Sequence, residues 1–179
     1  MKKQKVAYNA VNVYRIDPDF FIQIGVKNVV FDLDNTLASA FDETPSEECK
    51  NLVSELKGMG LRVIIISNNG PDRVEKFVKD LDVEYLSSAF KYVPRRIKKY
   101  LKVNNVDVDD TIFIGDQILS DRTYVKKLKG RMILTEPLVP RDNWITKIPR
   151  FIDRRIRKRW RKNQQLGTQC PYRTELEDN

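Results

Sequence analysis

Asp32 and Asp34 stand at the end of the most strand-like run in the chain, Val29-Val30-Phe31-Asp32-Leu33-Asp34-Asn35-Thr36-Leu37. The buried strands of a parallel sheet are continuously apolar, and Asp and Asn are depleted from them. Two unpaired acids at such a strand end cost stability, so they need a task. The carboxyl end of a strand is where open α/β sheets place their ligands. Side chains at i and i+2 of an extended segment share a face, which brings both carboxylates to one small volume. Two anions there repel unless a positive charge lies between or beside them. A hard cation such as Mg²⁺ is the usual companion of carboxylates that face a phosphate.

Other chemistry-bearing residues recur at the ends of later apolar runs. Ser67 ends the run 62–66, Lys91 follows Tyr85-Leu86, and Asp116 ends 111–115 with Asp121 five residues on. In a parallel sheet these ends lie along one edge, so the set converges. Each type has a task in phosphoryl transfer. One carboxylate attacks phosphorus, and a second moves a proton to and from oxygen. A hydroxyl and an ammonium bind the phosphoryl oxygens, and a further acid helps hold Mg²⁺. Plainer readings exist: Ser67 as a turn cap, Asn68, Asn69 and Gly70 as turn formers, and Asp121 as a helix cap.

The elements that position this set alternate strictly. Thr44-Pro45-Ser46-Glu47 reads as a helix start with Thr44 as its cap and Glu47 as the capping-box partner. Leu52, Val53 and Leu56 give that helix an apolar face, and Gly58 and Gly60 end it. A second helix follows Pro71, with Val74, Phe77, Val78 and Leu81 at helical spacing. Pro94 opens a basic helix through Leu101, and Met132 to Leu134 is a last strand. Strand and helix in alternation predict an α/β fold with a doubly wound parallel sheet. The segments 35–61 and 68–90 have no room for a large cap domain. The expected organisation is an N-terminal extension over 1–24, a domain over 25–140, a basic amphipathic helix over 141–162 and a disordered tail over 163–179.

Composition bounds the function. The 179 residues contain no histidine, which excludes Ser-His-Asp and Cys-His hydrolases and any His-ligated zinc. Cys49 and Cys170 form no ligand pattern, consistent with a reducing cytoplasm. Mean hydropathy is -0.51. The longest apolar runs are strand-sized, and the opening Met1-Lys2-Lys3 leads into no apolar stretch, so no secretory leader is expected.

The four elements, in this order, resemble the motifs of the haloacid dehalogenase (HAD) superfamily of phosphohydrolases. Asp32, Asp34 and Thr36 match Asp-x-Asp-x-Thr, Ser67 matches the second motif, Lys91 the third, and Gly115-Asp116 with Asp121 the fourth. Asp-Leu-Asp-Asn-Thr-Leu, Ser-Asn-Asn and Gly-Asp-Gln-Ile-Leu-Ser-Asp are closer still to the YqeG branch of class IIIA. That branch is related to the mitochondrial phosphatidylglycerophosphate phosphatase. The resemblance implies an Mg²⁺-dependent phosphomonoesterase with Asp32 as nucleophile and Asp34 as general acid/base. It implies Ser67, Asn68 and Lys91 at the phosphate, and Asp32, Asp34, Asp116 and Asp121 around the metal. The branch usually has Lys-Pro in the third motif. Here Tyr92 follows Lys91 and Pro94 comes later, so Arg95, Lys98 and Lys99 stay open as alternatives. The implied substrate is a phospholipid headgroup, phosphatidylglycerophosphate, met at the inner face of the membrane.

Charge gives the partners. The formal net charge is +8. From Arg150 to Lys162 eight basic residues stand against one acid, Asp153, and Ile152, Ile156 and Trp160 recur every four residues beside Phe151. As a helix this segment presents an apolar stripe and a basic remainder, suited to an anionic bilayer or to packing on the chain's own domain. Contact with nucleic acid is a weaker reading of the same charge. Two rivals to a membrane phosphatase follow: a non-catalytic module that binds RNA or ribosomal particles, and a phosphatase of a soluble metabolite.

Overall fold

The computed structural model describes residues 6–139 and 147–173. Seven strands form one sheet: β1 (Tyr8–Ala10), β2 (Asn28–Phe31), β3 (Arg62–Ile66), β4 (Glu84–Leu86), β5 (Thr111–Gly115), β6 (Arg131–Thr135) and β7 (Thr168–Gln169). Their order is β4-β3-β2-β5-β6-β1-β7, and every neighbouring pair is parallel. The helices are α1 (Asp19–Gln23), α2 (Glu47–Gly58), α3 (Pro71–Val78), α4 (Arg95–Val103), α5 (Thr123–Leu128) and α6 (Lys147–Lys162).

Period-two alternation along the central strands divides the core. Val29, Phe31, Val63, Ile65, Ile112 and Ile114 face a cluster with Phe20 and Phe21 of α1, Leu52, Val53 and Leu56 of α2, and Val74 and Phe77 of α3. Val30, Ile64, Ile66 and Phe113 face the other cluster, with Ile97 and Leu101 of α4, Tyr124 and Val125 of α5, and Trp160 of α6. Strands buried on both faces explain the near-continuous apolar runs. The doubly wound sheet is the architecture expected, and among the described residues no inserted domain covers its carboxyl edge. α2 starts two residues later than the capping pattern suggested. Its cap is Ser46, whose hydroxyl accepts from the Cys49 amide at 3.2 Å.

Both chain ends differ from expectation. The segment 1–24, read as an extension, supplies β1, which lies between β6 and β7, and buries Val13, Tyr14, Ile16 and Phe21. The segment 163–179, read as disordered, contains β7 and the buried Cys170. Residues 174–179 lie outside the described part. Three residues make too short a strand for a periodic signal; pairing on both sides holds β1 in place. Thr168 and Cys170 donate to the carbonyls of Ala7 and Asn9 at 3.1 and 2.9 Å. The Asn9 amide donates to the Gly167 carbonyl at 2.6 Å. The two backbones approach so closely that a Cβ on Gly167 would fall 2.1 Å from the Ala7 carbonyl oxygen.

The basic helix forms over the described part of its expected range, while 141–146 lie outside the described residues. Its buried face takes in only part of the apolar stripe, together with two charged residues. Asp153, Arg157 and Trp160 are buried and Ile156 is partly so, whereas Phe151 and Ile152 are exposed. The cause is polar: Asp153 and Arg157 find backbone partners at the carboxyl edge of the sheet.

Candidate active site

The first motif leaves β2 and turns sharply. Asn35 takes a left-handed φ of 64°, which Asn tolerates better than most residues, and its amide donates to the Ala38 carbonyl at 2.6 Å. The turn carries Thr36 back so that its hydroxyl donates to Asp32 Oδ2 at 3.2 Å. Asp32 is buried and Asp34 half-buried.

The turn after β3 is tied to the loop after β4. The amides of Ser88 and Ala89 donate to the carbonyls of Asn69 and Ser67 at 2.6 and 2.9 Å. The Lys91 amide donates to Asn68 Oδ1 at 2.9 Å. Ser88 and Phe90 are held at φ 47° and 51°, left-handed conformations that cost a non-glycine residue about 1–3 kcal/mol each. This pinned, strained loop drives Lys91 inward until only 1% of it is exposed. Its ammonium donates to Asp32 and, at 2.7 Å, to Asp121 Oδ1. Arg95, Lys98 and Lys99 lie outside on α4, exposed to solvent. Lys91 is therefore the basic residue that meets the nucleophile candidate.

The fourth motif leaves β5 through a π-helical turn over Ile118–Arg122. Asp121 folds back over Gly115 and accepts from the Gln117 amide at 3.0 Å. A Cβ on Gly115 would sit 2.6 Å from the Asp121 carboxyl carbon. Gly115→Ala is thus expected to displace Asp121 and cut turnover on the order of 10²-fold, the scale of a misplacement near 1 Å. Thermal denaturation should change little. Aryl phosphate kinetics across an Mg²⁺ titration would check this, and unchanged kinetics would separate the glycine from the site.

Asp32, Asp116 and Asp121 place carboxylate oxygens within 4.8 Å of one another, and all three are buried. Hard oxygen donors at this spacing can hold a divalent cation. Asp34 is outside this trio: its carboxylate accepts from the Asn69 side chain and pairs with Arg73 Nη2 at 3.3 Å. The Lys91 ammonium bonds two of these carboxylates, Asp32 and Asp121, and the electrostatics follow. Burial pushes the Asp32 carboxyl well above its ordinary range, the Lys91 ammonium pulls it back, and Asp121 and Asp116 push it up again. Burial acts to lower Lys91, but Asp121 and Asp32 outweigh it and keep the ammonium protonated.

The residues read from sequence come together. A cleft of about 350 Å³ is lined by Asp32, Asp34, Ser67, Asn68, Lys91, Asp116 and Asp121. A larger cavity, about 880 Å³, lies beside the 37–48 segment and contains none of them. Ser67 is buried with its hydroxyl accepting from the Asn69 amide at 3.1 Å, so it lines the cleft and also forms the turn. Arg73 was not anticipated. It lines the same cleft, and its buried Nη1 has no hydrogen-bond partner among the described residues. The signal was available: Pro71 opens α3 at the site edge, which places residue 73 in the first turn. Asp153 and Arg157 were also missed as site residues, although Asp153 is the lone acid of a basic segment.

No family model matches the chain. The curated protein Probable phosphatase YqeG of Bacillus subtilis (strain 168) is 29% identical over 145 residues, 81% of this chain and 84% of that protein. Among solved structures, a Vibrio cholerae protein assigned as a 3-deoxy-D-manno-octulosonate 8-phosphate phosphatase superposes with a TM-score of 0.52 at 13% identity, over 86% of this chain and 94% of its own. A Xanthomonas campestris protein of unassigned function superposes with a TM-score of 0.50 at 18% identity, over 83% and 80%. With its acids, serine and lysine at the carboxyl ends of successive parallel strands, the chain shares the doubly wound α/β fold of these solved structures.

Proposed function

We propose that the chain is an Mg²⁺-dependent phosphomonoester hydrolase acting through an aspartyl-phosphate on Asp32. The observation that carries this reading is the convergence of Asp32, Asp116, Asp121 and Lys91 beside Ser67 in one cleft. The Asp32 carboxylate attacks phosphorus as the bond to the ester oxygen breaks. Asp34 gives its proton to that oxygen and the alcohol leaves. Asp34 then takes a proton from water, which attacks the same phosphorus. Inorganic phosphate departs and the Asp32 carboxylate is restored. Ser67 and Lys91 bind the equatorial oxygens, and Asn68 sets Lys91 through its amide. The unpartnered Arg73 nitrogen offers a further donor to the substrate. Asp32, Asp116 and Asp121 would hold Mg²⁺, which would supply shielding between the attacking anion and the phosphate.

The substrate class we propose is a phosphate on a lipid headgroup, with phosphatidylglycerophosphate the species implied by the motif resemblance. Three observations support it. The carboxyl edge carries no cap among the described residues. The outer face of α6 exposes Arg154, Arg155, Lys158, Arg159, Arg161 and Lys162 beside Phe151 and Ile152. Around Lys91, Phe90, Tyr92 and Val93 are 66%, 52% and 68% exposed, with Arg95 and Arg96 following them. Each Lys or Arg near an anionic surface contributes about 1 kcal/mol, weakening with salt. No helix among the described residues is long and apolar enough to cross a membrane, so contact would be peripheral.

Release of phosphate from phosphatidylglycerophosphate in mixed micelles, compared with sugar and nucleotide phosphates, tests the substrate class. We expect preference for the lipid, abolition by EDTA, and sedimentation with anionic vesicles at low salt. Preference for a soluble phosphate without vesicle binding would overturn the lipid assignment and leave the phosphatase standing. No metal-dependent release from any phosphomonoester would overturn both.

A further inference from the structure

We propose that α6 belongs to the machinery of the active site: Asp153 and Arg157 are positioning residues that hold the Asp116–Asp121 loop in its cation-binding form. The proposal rests on reading that loop as part of the metal site. A helix that docks only for adhesion buries its apolar residues. Here Trp160 is buried and Ile156 partly so, yet Phe151 and Ile152 stay exposed, and a carboxylate and a guanidinium go inside as well, 3% and 5% exposed. Buried charges are costly unless every one is hydrogen-bonded, and both are bonded to the backbone of the fourth motif.

The partners lie between the two acids that the metal site needs. A π-helical turn leaves its leading amides without partners inside the element. Asp153 accepts from two of them, Ile118 at 2.7 Å and Leu119 at 3.3 Å. Arg157 Nη2 donates to the main-chain carbonyl of Asp116 itself. Its Nη1 meets Glu136 at 3.1 Å, and the Glu136 amide in turn donates to the Val11 carbonyl at 3.1 Å. The backbone of 116–119 is thus gripped on its outer side by α6, while Asp121 grips the Gln117 amide from within. Releasing the outer grip frees the turn that sets the separation of Asp116 and Asp121.

Calorimetric titration of full-length protein with Mg²⁺ alone, without substrate, tests this. Groups that orient metal ligands typically cost 10–100-fold in metal affinity when removed. Asp153→Ala is expected to weaken Mg²⁺ binding by about that factor. The Mg²⁺ concentration for half-maximal aryl phosphate turnover should rise in parallel. Asp153→Asn, which keeps an acceptor, should recover part of the affinity, and Arg157→Lys should fall between Arg157→Ala and wild type. If Asp153→Ala does not fold, Asp153→Asn and Arg157→Lys are read by the same criterion. Folded variants that bind Mg²⁺ as wild type does would overturn the proposal and leave α6 a strut. A wild-type protein that binds no Mg²⁺ would overturn the metal reading beneath it.

Discussion

Asp32→Asn is expected to lower aryl phosphate turnover by at least about 10³-fold, because an amide cannot attack phosphorus and loss of a nucleophile removes most of the catalysed rate. Stability should move the other way. Asp32 shares its space with Asp116 and Asp121, and the Lys91 ammonium bonds Asp32 and Asp121. Replacing the first carboxylate relieves like-charge crowding while Lys91 keeps its bond to Asp121. In EDTA the variant should therefore melt no lower than wild type, with a gain on the order of 1 kcal/mol, the trade between function and stability common at strained sites. Asp34→Asn should cost about 10²–10⁴-fold, the range of a general acid, and trap phosphorylated protein where the leaving group departs unaided. Mass spectrometry after incubation with substrate reads the trap. Wild-type turnover by Asp32→Asn in Mg²⁺ would remove Asp32 from the nucleophile role.

Lys91→Met is expected to be the most damaging single change to the metal-free protein. It keeps volume and removes a fully buried ammonium that bonds two buried carboxylates. Breaking a buried pair from one side costs about 3–5 kcal/mol, since the remaining charge is left uncompensated. For a chain of this size that lowers the melting temperature on the order of 10 °C. Saturating Mg²⁺ should shrink the deficit, because the cation neutralises the same carboxylates, yet activity should stay low without the ammonium at the phosphoryl oxygens. Differential scanning fluorimetry in EDTA and in Mg²⁺ measures both effects. A variant that melts with wild type in EDTA would show that Lys91 does not balance this cluster.

The site was largely legible in the sequence because its signals are violations: acids and a serine where buried strands should stay apolar. The central strands were legible for the same reason that they are central, since burial on both faces leaves long apolar runs. What escaped was carried by contacts rather than pattern. β1 and β7 are too short to show a period and exist through pairing with distant partners. The stripe on α6 told only part of how it packs: Trp160 and Ile156 meet the core, but periodicity has no way to know that Asp153 and Arg157 have backbone amides and a carbonyl to meet. A chain cut near Arg141 is for this reason a poor control for membrane binding. It would lose a face of the fourth motif, β7 and the Cys170 contact along with the basic surface.

β1 lies between β6 and β7, so two strands made later flank one made well before them. At 5–20 residues per second, the ribosome takes on the order of ten seconds to travel from β1 to β6, and longer to reach β7. During that interval β4, β3, β2 and β5 can assemble among themselves, while β1 leaves the tunnel first and finds no partner on either side. Its amides and carbonyls stay open to other chains until β6 has been made. Chaperone occupancy of nascent chains should accordingly centre on the first two dozen residues. A bulky N-terminal fusion burdens a strand that must wait for a partner made after it.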